Sequence, residues 1–216
     1  MCMGISAIVI WDGHSVICKW GDPTVTDHTR DSHESIRKLH GIRRDGGTAI
    51  ECHPTDSLAT AATYELVLDD GANCPAWWEE SQSEIRRQLV GEIDRRMANV
   101  RKSGMWPGSL KLETIPADTA ALTSIGGAIY LNGATVSDGA FAALTSIGDA
   151  IYLNNATVSD GAFAALTSIG GGLYLNSATV SDGAFAALTS IGDGLYLNGA
   201  TNINVKLIAR LKGLGK

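Results

Sequence analysis

The sequence predicts an α+β protein: a small mixed N-terminal domain over residues 1–116, followed by a short β-solenoid with parallel strands over 117–216. Three observations predict it. Fifteen residues, ATVSDGAFAALTSIG, recur at 134–148, 156–170 and 178–192, a period of 22. All five Trp, all four Cys and all five His lie before Pro116, and all three Phe lie after it. From Leu122 to Thr201 there is no Lys or Arg. A fixed period of this size signals a solenoid. One unit cannot bury its apolar face alone, so neighbouring units must stack.

The interior follows from the period. Leu144, Ile147, Ile151, Leu153, Ala156, Val158 and Phe163 are the inward positions of one unit. Leu122 to Phe141 and Leu166 to Phe185 repeat them. Within Ile151-Tyr152-Leu153-Asn154 the sides alternate, as in a short strand. Ser159-Asp160-Gly161 turns the chain, and Ala162 to Leu166 forms a helical or 3₁₀ turn capped by Ser or Asp. The change from Ile151 to Leu173 conserves volume, as a packed interior tolerates.

This spacing, LxxI followed by IxL or LxL and then Ala, Val and Phe, resembles the leucine-rich repeat family over about residues 122–209. The resemblance implies a right-handed solenoid. Two departures stand against it: four residues separate the Ile from the strand start, and Ala156 holds the place of that family's usual Asn or Cys. The alternative is another parallel β-solenoid. The fourth unit begins at Leu188, Ile191, Leu195 and Leu197 and then changes character, ending in Arg210-Leu211-Lys212. Terminal repeats are atypical because they shield the open end of a stack. Residues 202–212 therefore read as an amphipathic helical cap, within a C-terminal cap spanning 202–216. With only four cations, it reads less well as a membrane-surface helix.

In the N-terminal domain, Ile5–Ile10 and Ser15–Trp20 flank a turn at 11–14 and predict a hairpin. Asp31-Ser32-His33-Glu34 has capping-box-like spacing and opens a helix to about His40. Thr48–Cys52 and Thr63–Leu68 read as strands. A long helix over 75–103 starts at Pro75 and stops at Gly104. Its buried stripe is Ile85, Leu89, Ile93, Met97 and Val100. Leu110-Lys111-Leu112 reads as the strand on which the solenoid nucleates.

Composition excludes several functions. The chain has 216 residues, 44% hydrophobic and 19% charged, with a formal net charge of −6. An acidic chain does not coat nucleic acid or bind an anionic membrane, since both need clustered cations. No apolar run is long enough to span a bilayer. Cys2, Cys18, Cys52 and Cys74 form no CxxC pair, and the start lacks a secretory pattern, so a cytoplasmic location with free thiols is expected. Cys52-His53 with Cys18, Cys74 or His14 lacks zinc-ligand spacing. There is no GxSxG, Walker loop or HExxH. Gly126-Gly127 and Gly170-Gly171-Gly172 recur with the repeat and read as corner glycines. No cofactor or metal is expected, and no enzyme.

The candidate binding residues lie on two surfaces. On the outward face of the solenoid, Tyr130, Tyr152, Tyr174 and Tyr196 form one column. Asn132, Asn154, Asn176 and Asn198 form another, with strands about 4.8 Å apart. Tyr suits interfaces, whereas identical ladders also stabilise a stack without any ligand. On the long helix, Arg86 and Arg95 belong to Arg pairs interleaved with Glu84, Glu92 and Asp94, read as a solvated salt-bridged face or as a partner contact. The expected function is non-enzymatic protein binding, without direct nucleic-acid or membrane contact. Near-identical acidic repeats on an unfamiliar domain resemble an accessory protein of a phage or prophage, one version being an inhibitor of a host nucleoprotein or defence complex. Self-assembly into a homo-oligomer is the second reading. An enzyme seated in residues 1–116 is the third.

Overall fold

The computed structural model describes residues 4–69, 74–203, 211 and 213. The N-terminal unit is a four-stranded antiparallel sheet with a helix on each face. Strands β1 (Ile5–Trp11) and β2 (Val16–Trp20) form the expected hairpin. Its turn is fixed by Asp12, whose Oδ1 accepts from the backbone N–H groups of His14 at 2.9 Å and Ser15 at 2.8 Å. Helix α1 covers His33–His40, and β3 (Thr48–Pro54) and β4 (Tyr64–Leu68) complete the order β2-β1-β3-β4. Helix α2 covers Trp78–Ser103.

The run Ile5–Trp11 is almost wholly apolar because both of its faces are covered. Ile8 and Ala49 pack against Ile36 of α1. Ala7, Val9, Ile50 and Cys52 join the main core with Ile85, Leu89 and Ile93 of α2. Within Asp31-Ser32-His33-Glu34 the N-cap of α1 is Ser32, whose side chain accepts from Ser35 N–H. Asp31 is instead buried under α2. Helix α2 begins three residues after Pro75, whose carbonyl accepts from Trp78 N–H at 2.9 Å. It stops where Gly104 adopts φ 70° and donates to Val100 O at 2.7 Å, a left-handed cap that glycine makes at little cost.

Beyond α2 the chain winds into a parallel β-solenoid of about four turns. The first sheet is β5 (Met105–Trp106), β7 (Ser124–Ile125), β10 (Ser146–Ile147), β13 (Ser168–Ile169) and β16 (Ser190–Ile191). The second is β6 (Leu110–Lys111), β8 (Ile129–Tyr130), β11 (Ile151–Tyr152), β14 (Leu173–Tyr174) and β17 (Leu195–Tyr196). The third is β9 (Thr135–Val136), β12 (Thr157–Val158) and β15 (Thr179–Val180). Every pairing within the repeats is parallel and in step with the period, as in Ile151 opposite Leu173. Each of the first three coils thus carries three two-residue strands, and the fourth two strands and a bridge at Thr201, where the sequence pattern showed one per coil. Residues 117–121 form a 3₁₀ turn, and the matching segments of later coils close through i+3 turns such as Leu166 N–H to Phe163 O at 3.1 Å.

The inward assignment holds: Leu144, Ile147, Ile151, Leu153, Ala156, Val158 and Phe163 are all buried. Phe141, Phe163 and Phe185 stack inside with centroids 5.1 and 5.3 Å apart. At one corner the backbones touch. A Cβ on Gly148 would lie 2.2 Å from Gly126 O, and one on Gly170 would lie 2.2 Å from Gly148 O. The N-terminal domain closes one end of the stack through β5 and β6; the sequence anticipated β6 alone. The expected helical cap at 202–212 lies almost wholly outside the described residues, although Leu211 is buried in the core.

Candidate partner-binding surface

The tyrosine column is a continuous stack. Ring centroids are 4.7 Å apart between Tyr130 and Tyr152, 4.6 Å between Tyr152 and Tyr174, and 4.4 Å between Tyr174 and Tyr196. The planes lie within 11° of parallel, because identical residues one period apart inherit one rotamer. The ring faces are therefore spent on each other, and the column presents rims and hydroxyls. Exposure rises along it, from 6% at Tyr130 to 44% at Tyr196.

Tyr130 is buried where the N-terminal domain overhangs the first coil. A cleft of about 360 Å³ opens there, lined among others by His28, His33, Glu34, Asp69, Tyr130 and Asp149. Both ring nitrogens of His33 are engaged, Nδ1 with Asp69 at 2.8 Å and Nε2 with Ile50 O at 3.1 Å. Partial burial and the neighbouring Asp149 carboxylate push the Tyr152 hydroxyl pKa up, and burial does the same for Tyr174, so both remain neutral donors at physiological pH. The carboxylates beside this column, Asp149 and Asp193, have no cationic neighbours in the repeats. Asp138, Asp149, Asp160, Asp182 and Asp193 are the only charged residues between Leu122 and Thr201.

The asparagine column is a side-chain amide ladder. Asn132 Oδ1 accepts from Asn154 N–H at 3.0 Å and from Asn154 Nδ2 at 3.1 Å. Asn154 Oδ1 accepts from Asn176 in the same way at 3.1 and 3.0 Å, and Asn176 Oδ1 accepts from Asn198 N–H at 3.1 Å. These amides are occupied in holding the coils in register. A second ladder, missed in the sequence, runs through Thr145, Thr167 and Thr189, whose hydroxyls donate to the carbonyl of the preceding Thr at 2.9 to 3.0 Å.

The two arginines of α2 lie apart from this face. Arg86 is partly buried, and its guanidinium donates to the carbonyls of Tyr64 and Ala61, pinning α2 to the end of β4. Arg95 is exposed and pairs with Glu92. The reading of these pairs as a wholly solvated face is corrected at Glu92 and Arg96, both fully buried. With Arg30 and Asp31 they form a buried ionic cluster. One signal was present: positions 85, 89, 92, 96 and 100 fall on one helical stripe.

Cys18 and Cys52 are buried free thiols, and Cys74 is an exposed one. Burial pushes the Cys18 thiol up to about 12 and raises Cys52 further, so neither is a thiolate at neutral pH. His53 Nε2 meets Glu51 at 3.2 Å, both side chains buried. Among the described residues, no three His, Cys, Asp or Glu side chains are placed to hold a metal ion. No described helix is long and apolar enough to cross a membrane. No protein-family model, curated protein or solved structure matches this chain.

Proposed function

We propose that this chain is a non-enzymatic protein-binding scaffold that presents an anionic, tyrosine-edged face to a basic protein surface. One observation carries this reading: the rims of Tyr152, Tyr174 and Tyr196 emerge in line from beneath the N-terminal domain, on repeats whose only charges are carboxylates. Tyrosine gives contact area at low entropic cost, and a prestacked column has little freedom left to lose on binding. Carboxylates on repeats that hold no Lys or Arg favour cations across an interface and disfavour nucleic acid. The asparagines and Arg86 serve as structural support, and Arg95 is a secondary contact. In its finer form, the chain is a phage or prophage accessory protein that resembles leucine-rich repeats in spacing and inhibits a host nucleoprotein or defence complex by occupying a basic groove.

Affinity capture from a cell lysate tests the reading. The wild-type protein is expected to retain a basic protein that high salt releases. The double variant Tyr152→Ala with Tyr174→Ala, folded by circular dichroism, is expected to lose it. An unchanged set of retained proteins would overturn the role of the tyrosine face. Self-assembly is tested by light scattering after size exclusion, where the reading expects the mass of one chain.

A further inference from the structure

We propose that the open edge of the third solenoid sheet docks an extended, cationic segment of a partner protein, which adds as a parallel strand beside Thr135–Ser137. This rests on the reading of the chain as a protein-binding scaffold, and it places a second grip away from the tyrosines. Two of the three sheets are continued by strands at the N-terminal end, β5 and β6, whereas the third starts at β9 with no strand paired on that side among the described residues. The cause lies in the chain path. From Leu112 to Leu122 the route is 10 positions, against 13 from Leu131 to Leu144. Thr114 is diverted to the N-terminal domain, where its hydroxyl donates to Thr55 O. Pro116, which follows, has no N–H to give.

The edge left behind has a defined pattern. Within the stack, Thr157 N–H donates to Ala134 O at 3.0 Å and Ser159 N–H to Val136 O at 3.0 Å. Thr179 and Ser181 repeat this with Ala156 O and Val158 O, both at 2.9 Å. Thr135 and Ser137 are the same residues of the first coil, and among the described residues no acceptor meets their N–H groups. Beside them lies a groove of about 370 Å³, lined by Pro116, Ala117, Ala120, Asp138 and Ala140 with the strand itself.

Three features specify the occupant. Two donors in strand register require the alternating carbonyls of an extended backbone, which is how edge strands capture peptides. The apolar floor, Ile115 and Pro116 with Ala117 and Ala120, admits small side chains. Exposed Asp138 at one end of the groove, on a coil without cations, selects a basic residue there. Beside residues 134–137 the occupant takes the place that each coil takes against the next, up to the point where this chain's own residues 117–121 fill that place opposite Ala140, so the site continues an interface the solenoid already makes.

The test uses the full chain, labelled with ¹⁵N, and a blocked peptide with the sequence of residues 154–160 carrying Asp160→Lys. Amide exchange is read at Thr135 and Ser137, with Thr157 and Ser159 as sequence-matched controls. Millimolar peptide is expected to slow exchange at Thr135 and Ser137 by at least about tenfold and to leave the controls unchanged. Ala120→Arg, at an exposed position, fills the groove and is expected to abolish the slowing. No slowing, or slowing that survives Ala120→Arg, would overturn the proposal. So would protection of both amides without peptide that grows with protein concentration, which would assign the edge to a second copy. The peptide does not need the tyrosine face. Its binding to the Tyr152→Ala, Tyr174→Ala protein, together with failed lysate capture comparisons, would sink the tyrosine reading and leave the edge standing.

Discussion

Arg96 Nη2 donates to Asp31 Oδ1 at 2.5 Å, with both side chains no more than 1% exposed. The same guanidinium donates to Pro107 O at 2.7 Å and to Glu92 Oε1 at 2.9 Å, and it lies 5.5 Å from the centre of the Trp106 ring. One side chain thus ties α2, the loop before α1 and the start of the solenoid together. Removing it leaves buried Asp31 with only the Arg30 guanidinium, at 3.9 Å, while Glu92 keeps Arg30 and Arg95. Arg96→Met is expected to cost about 3–5 kcal/mol in denaturant unfolding, and Arg96→Lys to recover little because an ammonium lacks the planar fork. Wild-type stability in Arg96→Met would show that the cluster does not hold the two parts together.

The inward and outward positions of a strand should differ sharply. Leu153 is fully buried between stacked coils, whereas Tyr152 is partly exposed beside it. Leu153→Asp buries an unpaired charge and is expected to unfold the solenoid. Tyr152→Ser removes two ring contacts worth about 0.5–1.5 kcal/mol each and is expected to leave the fold standing. Melting followed by circular dichroism checks both, and equal damage would contradict the assignment.

The coil should behave as a removable unit. Deleting residues 144–165 joins Ala143 to Leu166, which follows an identical Phe-Ala-Ala in the native chain. The product is expected to fold with one fewer tyrosine and phenylalanine in each stack and a lower melting temperature. An unfolded product would mean that the 22-residue period is not the structural unit.

Thiol accessibility follows burial. Alkylation of the native protein, mapped by mass spectrometry, is expected to modify Cys74 and to spare Cys18 and Cys52 until denaturant is added. Rapid labelling of Cys52 without denaturant would show that the sheet between α1 and α2 opens readily.

The interior of the solenoid was legible because three near-identical units fix which positions recur, and recurrence fixes the side of the wall. The strands at Ser146–Ile147 and Thr157–Val158 were not, since the residues flanking each two-residue strand do not continue the alternation as Leu153 and Asn154 do after Ile151–Tyr152. The burial of Arg96 was hidden for a different reason. Its i,i+4 partner Glu92 looks the same on a wet helix face, and Arg30 and Asp31 reach it only through the tertiary fold. The tyrosine column was legible as a column. Its gradient of exposure was not, because it depends on how the N-terminal domain overhangs the first coil.

The central claim is that the exposed end of the tyrosine column touches a partner protein. Site-specific photo-crosslinking in cells tests it most directly, with a photoreactive phenylalanine analogue at Tyr174 and, as control, at the exposed turn residue Ala164. The account predicts a discrete adduct between position 174 and a basic protein, and none from position 164. Equal adducts from both positions, or an adduct at 174 only with a second copy of this chain, would contradict it.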